Sequence, residues 1–296
     1  MKIFLSASAK INLTLDVICR RQDGYHRVEM IMQETELSDD VHIAVSDGPG
    51  GISVRCSHPD VPDGENNIAY RAAKLIKETF HIGKQVEIYI EKRIPVAAGL
   101  AGGSADAAAV IKGLNLLWEL GMDEAAMMNM GAVLGADVPF CIRGGTCLAG
   151  GIGEVLTPIT SKAVLDLLLV KPEVMVSTAW AYNNLNLNAI RKRPDNSSMI
   201  DALERGDIRE IAGGLINVLE NVTIPRYPEI EQIKGEMMDA GALGAAMSGS
   251  GPTVFGIFGS VSEADAASRI FRRKYKEKYK DVIATKTKLR GKQGMC

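Results

Sequence analysis

The chain has 296 residues, 46% of them hydrophobic and 24% charged, with a formal net charge of −2. That length accommodates two ordinary domains with substantial cores, and the balanced charge sets up no global field toward nucleic acid or a membrane. The opening MKIFLSASAK turns polar at once and does not read as a signal peptide, no apolar run reaches the roughly 18 residues of a membrane span, and five scattered cysteines (Cys19, Cys56, Cys141, Cys147, Cys296) without a C-x-x-C pair fit a reducing cytoplasm better than a disulfide framework or a zinc site.

In chain order, residues 2–18 alternate loosely and read as a strand, and Gln22 to Tyr25 as a turn. Short strands are expected at 41–45 and 52–56, around a glycine-rich turn at 47–51. Apolar positions at 68, 69, 72, 73, 75, 76 and 80 predict a helix over 67–80, and 86–90 alternates as a strand. An Ala-rich helix is expected from Ser104 to Leu120, closed by Gly121, and another near 123–134. Gly135 and Pro139 break helical structure, and the glycine-rich stretch 141–155 suits hairpin strands. A polar, Pro-containing connection near 156–163 suggests a boundary, giving domains 1–160 and 161–296. The second half alternates: strand 165–171, helices near 178–185, 197–204, 207–216 and 228–240, a glycine-rich turn at 241–251, strand 253–258 and helix 261–279. The basic run 272–280 reads as the solvated face of that helix. The class is α+β.

The most informative stretch is Pro95, Val96, Ala97, Ala98, Gly99, Leu100, Ala101, Gly102, Gly103, Ser104, Ala105. Bare backbone at the glycines lets N–H groups approach an anion. A helix starting at once would add its unpaired first-turn N–H groups and the positive end of its dipole. The loop lacks the Lys of a Walker A motif and the spacing of kinase or dinucleotide loops. Ala101 keeps the backbone approachable if its φ is negative, and Ser104 could cap the helix or help hold magnesium.

Two further segments suit an acceptor. Lys10 and Asn12 are two residues apart, so on a strand they share a face opposite Ile11 and Leu13. Buried, they would need partners; a wet edge strand is the alternative. Asp137, in GADVPF at 135–140, sits in a small-residue turn, where a helix cap is the plainer reading.

The loop Pro-x-x-x-Gly-Leu-x-Gly-Gly-Ser resembles the second motif of the GHMP kinases, in which it wraps the triphosphate of ATP. GADVPF and the segment 241–255, GALGAAMSGSGPTVF, are similar to other motifs of that superfamily, so the resemblance runs from about residue 7 to 258. The Gly-Glu-His signature of galactokinase and mevalonate kinase is absent, whereas AKIN at 9–12, DGYH at 23–26 and STAWAY at 177–182 resemble the branch acting on a cytidine-diphosphate-linked methylerythritol.

The resemblance implies a two-domain GHMP kinase fold, with an N-terminal domain like domain 2 of ribosomal protein S5 and a ferredoxin-like C-terminal domain. It implies ATP-dependent phosphorylation of the methylerythritol 2-hydroxyl, in the non-mevalonate route to isoprenoid precursors. Asp137 would be the base or orienting group for that hydroxyl. Lys10 would keep Asp137 ionised and stabilise the moving phosphoryl group. Asn12 would bind the methylerythritol part, Tyr25 and His26 would read cytosine beside an aromatic wall at Tyr182, and Asn67 would contact adenine. Ser248, Gly249, Ser250 and Gly251 would border the phosphates, with a tight strand turn as the alternative. Mg2+ would be held by ATP oxygens and water, with no dedicated protein cage. The expected protein is a cytoplasmic monomer or weak homodimer with a small-molecule substrate and no nucleic-acid or membrane partner.

Overall fold

Apolar and polar side chains alternate along the middle of the first strand, β1 (Lys2–Arg20), which is buried on both faces from Ala9 to Val17. Ile11, Leu13, Leu15 and Val17 are fully or almost fully buried on one side of it. The computed structural model describes residues 1–48, 50–276, 278–279 and 281–290. Pro49, in the expected turn, Glu277 and Lys280, in the basic run, and Cys296 lie outside the described residues. The chain forms two compact units, one of residues 1–9, 37–96 and 101–144, the other of 10–36, 97–100 and 145–296.

In the first unit, the end of β2 (His26–Ser46) pairs antiparallel with β4 (Gln85–Glu91), which pairs parallel with β3 (Ile52–Cys56). β2 is one long strand where a short one at 41–45 is expected; its N-terminal part carries no turn signal to separate it. Helix α1 (Ile68–Thr79) buries Ala69, Ala72, Ala73 and Ile76. Helix α2 (Gly102–Leu117) buries most of its first three turns, and its Gly113 lies close against the sheet: a Cβ there would lie 2.5 Å from Ile43 Cδ1 and 2.9 Å from Leu5 Cδ1. Helix α3 (Glu124–Leu134), capped by Asp123, packs its Gly131 against Val138 and Ile142 of α4 (Val138–Arg143). The 141–143 segment is therefore helical rather than extended. Pro139 starts this helix instead of only ending the previous one, because proline is tolerated in a first turn whose N–H groups lack helical partners.

In the second unit, β2 also pairs with β5 (Thr146–Gly150), which forms a hairpin with β6 (Val155–Pro158). Then follow β7 (Asp166–Lys171), α5 (Thr178–Asn184), α6 (Asn196–Arg205) and α7 (Ile208–Gly213). The expected helix over 207–216 stops at Gly213. Residues 216–217 become β8 (Ile216–Asn217), parallel to β1 at Thr14 and Leu15. Helix α8 (Glu220–Arg226) has no counterpart in the expected elements, since Pro225 masks it, and α9 (Glu229–Asp239) follows. Strand β9 (Gly244–Met247) lies inside what reads as a glycine-rich turn. After it come β10 (Val254–Phe258), α10 (Val261–Lys274) and β11 (Asp281–Lys286), another strand missing from the expected elements. These four strands form an antiparallel sheet in the order β11-β7-β10-β9. With α9 and α10 burying Ile233, Met237, Ala267 and Phe271, this is a ferredoxin-like arrangement.

Candidate active site

In the second unit, Lys10 and Asn12 point to the same side of β1 and are 4% and 1% exposed, so the wet-edge alternative fails. Lys10 Nζ donates to Asn12 Oδ1 at 2.7 Å, and Asn12 Nδ2 donates to Met30 Sδ at 3.1 Å. The Lys10 backbone N–H donates to Leu100 O at 3.1 Å, tying the strand to the glycine loop. Gly99 has φ +75, and a Cβ there would lie 2.3 Å from Ser248 O and 3.0 Å from Gly251 O. Only glycine fits this close approach. Ser248 Oγ donates to Gly99 O at 3.0 Å. Gly249, with φ +58, lies against the same assembly: a Cβ would be 3.1 Å from Gly99 O, 3.4 Å from Lys10 Nζ and 3.5 Å from Asn12 Oδ1. The loop strand 97–100, the 248–251 turn, Lys10 and Asn12 are thus one construction, with bare backbone beside a buried ammonium.

Asn217 clamps that turn. Its Nδ2 donates to Met247 O at 2.8 Å and Gly249 O at 2.7 Å, and its Oδ1 accepts from Leu219 N. The sequence holds no signal for it, because its role depends on β8 pairing with β1. Thr178 Oγ1 and Ser250 Oγ share a hydrogen bond of 2.9 Å, linking α5 to the turn.

DGYH is the β1–β2 connection. Asp23 Oδ1 accepts from Tyr25 N at 3.1 Å, its Oδ2 accepts from Arg21 Nε at 3.0 Å, and Gly24 takes φ +87. Tyr25 is exposed. His26 and Tyr182 are half-buried, with ring centroids 5.5 Å apart. Burial, helped by the Arg20 charge, lowers the His26 pKa below its usual value, which favours the neutral imidazole. A neutral imidazole offers one donor and one acceptor.

In the first unit, α2 begins at Gly102, two residues earlier than expected. Ala101 is the N-cap residue, with φ +58 and no side-chain cap bond. The condition of a negative φ at Ala101 is not met, and Ser104 is not the cap. It lies inside the first turn, because the left-handed Ala101 already turns the chain into the helix. Beneath this start lies a buried ion triad. Lys92 Nζ donates to Asp39 Oδ2 and, at 2.9 Å, to Asp106 Oδ2. Asp39 Oδ1 accepts from the N–H groups of Arg93 and Ile94 at 2.6 and 2.8 Å. A Cβ on Gly102 would sit 3.2 Å from Lys92 Nζ. Burial works against the Lys92 ammonium, but Asp106 and Asp39 outweigh it and raise its pKa. Burial pushes Asp106 up to about 7 against the pull of Lys92, and its Oδ1 has no hydrogen-bond partner among the described residues.

Asp137 occupies the residue before α4, with φ −83 and ψ −15. Its carbonyl accepts from Cys141 N at 3.1 Å, yet its side chain makes no cap bond, so the plainer cap reading does not account for the carboxylate. Asn67 does cap: its Oδ1 accepts from Ala69 N at 2.8 Å and its Nδ2 donates to Pro62 O at 2.9 Å. The structure therefore brings Lys10, Asn12, Gly99 and the 248–251 turn together in one unit, pairs His26 with Tyr182 in the same unit, and holds Asp137, Asn67 and the start of α2 in the other.

A glycine loop running into a helix, a second glycine turn that grips it and a ferredoxin-like sheet define a GHMP-type small-molecule kinase. The family models "GHMP kinases N terminal domain" and "GHMP kinases C terminal" match residues 67–145 and 199–277. A protein from Acetivibrio thermocellus named 4-diphosphocytidyl-2-C-methyl-D-erythritol kinase is 56% identical over 88% of this chain and 92% of its own. A relative of the same name from Clostridioides difficile is 50% identical over 94% of each chain. A crystal structure titled 4-(cytidine 5'-diphospho)-2C-methyl-D-erythritol kinase superposes with a TM-score of 0.81 at 31% identity, covering 96% of this chain and 99% of that one. A homoserine kinase from Cytophaga hutchinsonii, at 21% identity and a TM-score of 0.75 over 96% of this chain and 94% of its own, shares the fold. The chain belongs to the 4-diphosphocytidyl-2-C-methyl-D-erythritol kinase family of GHMP kinases.

Proposed function

We propose that this chain transfers the γ-phosphoryl group of ATP to the 2-hydroxyl of 4-diphosphocytidyl-2-C-methyl-D-erythritol, a step in the non-mevalonate route to isoprenoid precursors. The observation that carries the reading is the assembly of Gly99, Gly249 and the buried Lys10 ammonium, a bare-backbone anion cradle with a fixed cation. Phosphoryl transfer asks for positioning and charge neutralisation more than covalent chemistry from the protein.

In this reading the loop Pro95–Ala105 wraps the triphosphate, with N–H groups of the glycines and of the first turn of α2 turned to its oxygens. Asp137 takes or orients the hydroxyl proton as the new O–P bond forms and ADP leaves. Lys10 stabilises the charge on the moving group. Asn12 holds the methylerythritol hydroxyls. Cytosine is read by the neutral His26, with Tyr25 and Tyr182 supplying ring faces. Asn67, its amide engaged in capping α1, frames the adenine side.

Among the described residues no cluster of three His, Cys, Asp or Glu side chains could hold a metal by itself. In this reading Mg2+ is carried by triphosphate oxygens and water, with the Ser104 hydroxyl as a protein donor. When bound, it neutralises phosphate charge. The family-model matches fall on either side of residue 160, which we take as the boundary between the two domains. The same reading makes the protein a cytoplasmic monomer or weak homodimer without nucleic-acid or membrane partners.

The test is ATP consumption with 4-diphosphocytidyl-2-C-methyl-D-erythritol, mevalonate, homoserine and galactose offered in parallel. Turnover confined to the cytidine substrate is the expected result. Turnover on another acceptor would keep the cradle and discard the cytosine subsite.

A further inference from the structure

The polar face of β1 continues beyond the residues assigned above. Lys10, Asn12, Thr14 and Asp16 alternate with core residues, and all four are buried. Thr14 Oγ1 accepts from Ile31 N at 3.0 Å and donates to Asn196 Oδ1 at 2.6 Å, so its valences are filled from within the protein. Asp16 is different. Its Oδ1 accepts from Val17 N at 2.8 Å and from Arg193 Nη1, and the same Nη1 reaches Val17 O at 3.0 Å. The Arg193 guanidinium thus hangs from one nitrogen. Its side chain is 39% exposed, and its Nε and Nη2 make no hydrogen bond among the described residues.

A guanidinium fixed through one nitrogen by a buried carboxylate is already oriented. Its remaining N–H groups form a fork that matches phosphate oxygens, and little rotamer freedom is left to lose. The setting is cationic. Arg191, Lys192 and Arg193 are consecutive and exposed. Four residues along β1 from Asp16, the Arg20 charge acts on His26, whose ring neighbours Tyr182. A neutral pyrimidine needs none of these charges, whereas the diphosphate attached to it does.

We infer that Arg193 binds the diphosphate bridge of the cytidine-diphosphate substrate, and so makes the site prefer a nucleoside diphosphate over the bare nucleoside. The inference rests on the cytosine reading of Tyr25, His26 and Tyr182.

The experiment is calorimetric titration of the full chain with cytidine, CMP and CDP, the ATP site being filled with a non-hydrolysable analogue, alongside steady-state kinetics. Arg193→Met is expected to lose about 10- to 100-fold in CDP affinity, the range of charge-assisted hydrogen bonds, with cytidine affinity unchanged. KM for the cytidine substrate should rise while kcat and KM for ATP stay near wild type, and Arg193→Lys should recover part of the loss. Because Arg193→Met strands a buried carboxylate, the pair Asp16→Asn/Arg193→Met must show the same selective loss. Equal losses for cytidine and CDP, or unchanged CDP affinity, would overturn the inference. Wild-type protein that binds neither cytidine nor CDP would overturn the cytosine reading and this inference with it, before any variant is made.

Discussion

Replacing Lys92 by Met removes the cation from the triad beneath the phosphate loop while keeping most of the side-chain volume. Two carboxylates then remain where side-chain exposure is 0% for Asp39 and 3% for Asp106. Asp39 keeps its two backbone donors, whereas Asp106 loses its ammonium partner and faces the Asp39 carboxylate. Breaking a buried ion pair from one side costs about 3–5 kcal/mol, a large share of the roughly 5–15 kcal/mol that holds a domain folded. The sign with pH follows from Asp106. Its folded pKa, about 7, lies above the ordinary carboxylate value, so between that value and 7 the native state binds more protons than the unfolded chain. Its contribution to stability therefore falls as pH rises through this window, and removing Lys92 steepens the fall. Urea unfolding followed by circular dichroism at pH 5 and pH 8 is the assay. Lys92→Met should lose about 3–5 kcal/mol at pH 8 and clearly less at pH 5. Adding Asp106→Asn to the variant should restore part of the loss at pH 8, with a coupling of about 0.5–3 kcal/mol. A loss below about 1 kcal/mol at pH 8, the value of an exposed pair, or a loss equal at both pH values, would refute the reasoning.

Other predictions concern the loop and the proposed site. Gly99→Ala forces a Cβ to within 2.3 Å of Ser248 O at φ +75; ATP affinity and melting temperature should both fall, and wild-type values for both would show that the approach is not tight. Ala101→Gly relieves a left-handed alanine at about 1 kcal/mol but adds a comparable unfolded-state entropy of about 0.5–1 kcal/mol. Its stability should stay within about 1 kcal/mol of wild type, while Ala101→Val, β-branched at the same φ, should lose about 1–3 kcal/mol; calorimetric melts separate the two. Asp137→Asn should lower kcat by about 10²- to 10⁴-fold, the range for a general base, with ATP binding retained; near-normal turnover would remove Asp137 from the chemistry. His26→Ala should weaken binding of the cytidine substrate more than of ATP, and equal losses in titration would make His26 structural.

The local half of this fold was legible because periodicity carries it. Residues 68, 69, 72, 73 and 76 specify α1, and alternation specifies β1 and β4. What escaped was set by tertiary pairing. β8 is only two residues long and exists because β1 pairs with it. β9 lies inside a glycine-rich stretch whose propensity says turn, and its pairing with β10 overrides that propensity. The left-handed φ of Ala101 contradicts its residue type, as functional loops often do. Gly99 could be singled out by its residue type and Lys10 by its spacing from Asn12, whereas the burial of Lys10 appears only in the folded chain. Asn217 and Arg193 could not, because each acts on groups about 30 or about 177 positions away that only the folded chain brings near.

Transfer of the phosphoryl group to the 2-hydroxyl, rather than to another hydroxyl, is read from the position of the new ester. The 2-carbon of the methylerythritol carries a methyl group and no hydrogen, so an ester there gives a phosphomonoester 31P signal with no coupling to a carbinol proton. After incubation with ATP, Mg2+ and 4-diphosphocytidyl-2-C-methyl-D-erythritol, one new uncoupled phosphomonoester signal is expected in the product. A signal split by carbinol protons would place the phosphate on another hydroxyl and contradict the account, as would ADP formed with no new ester.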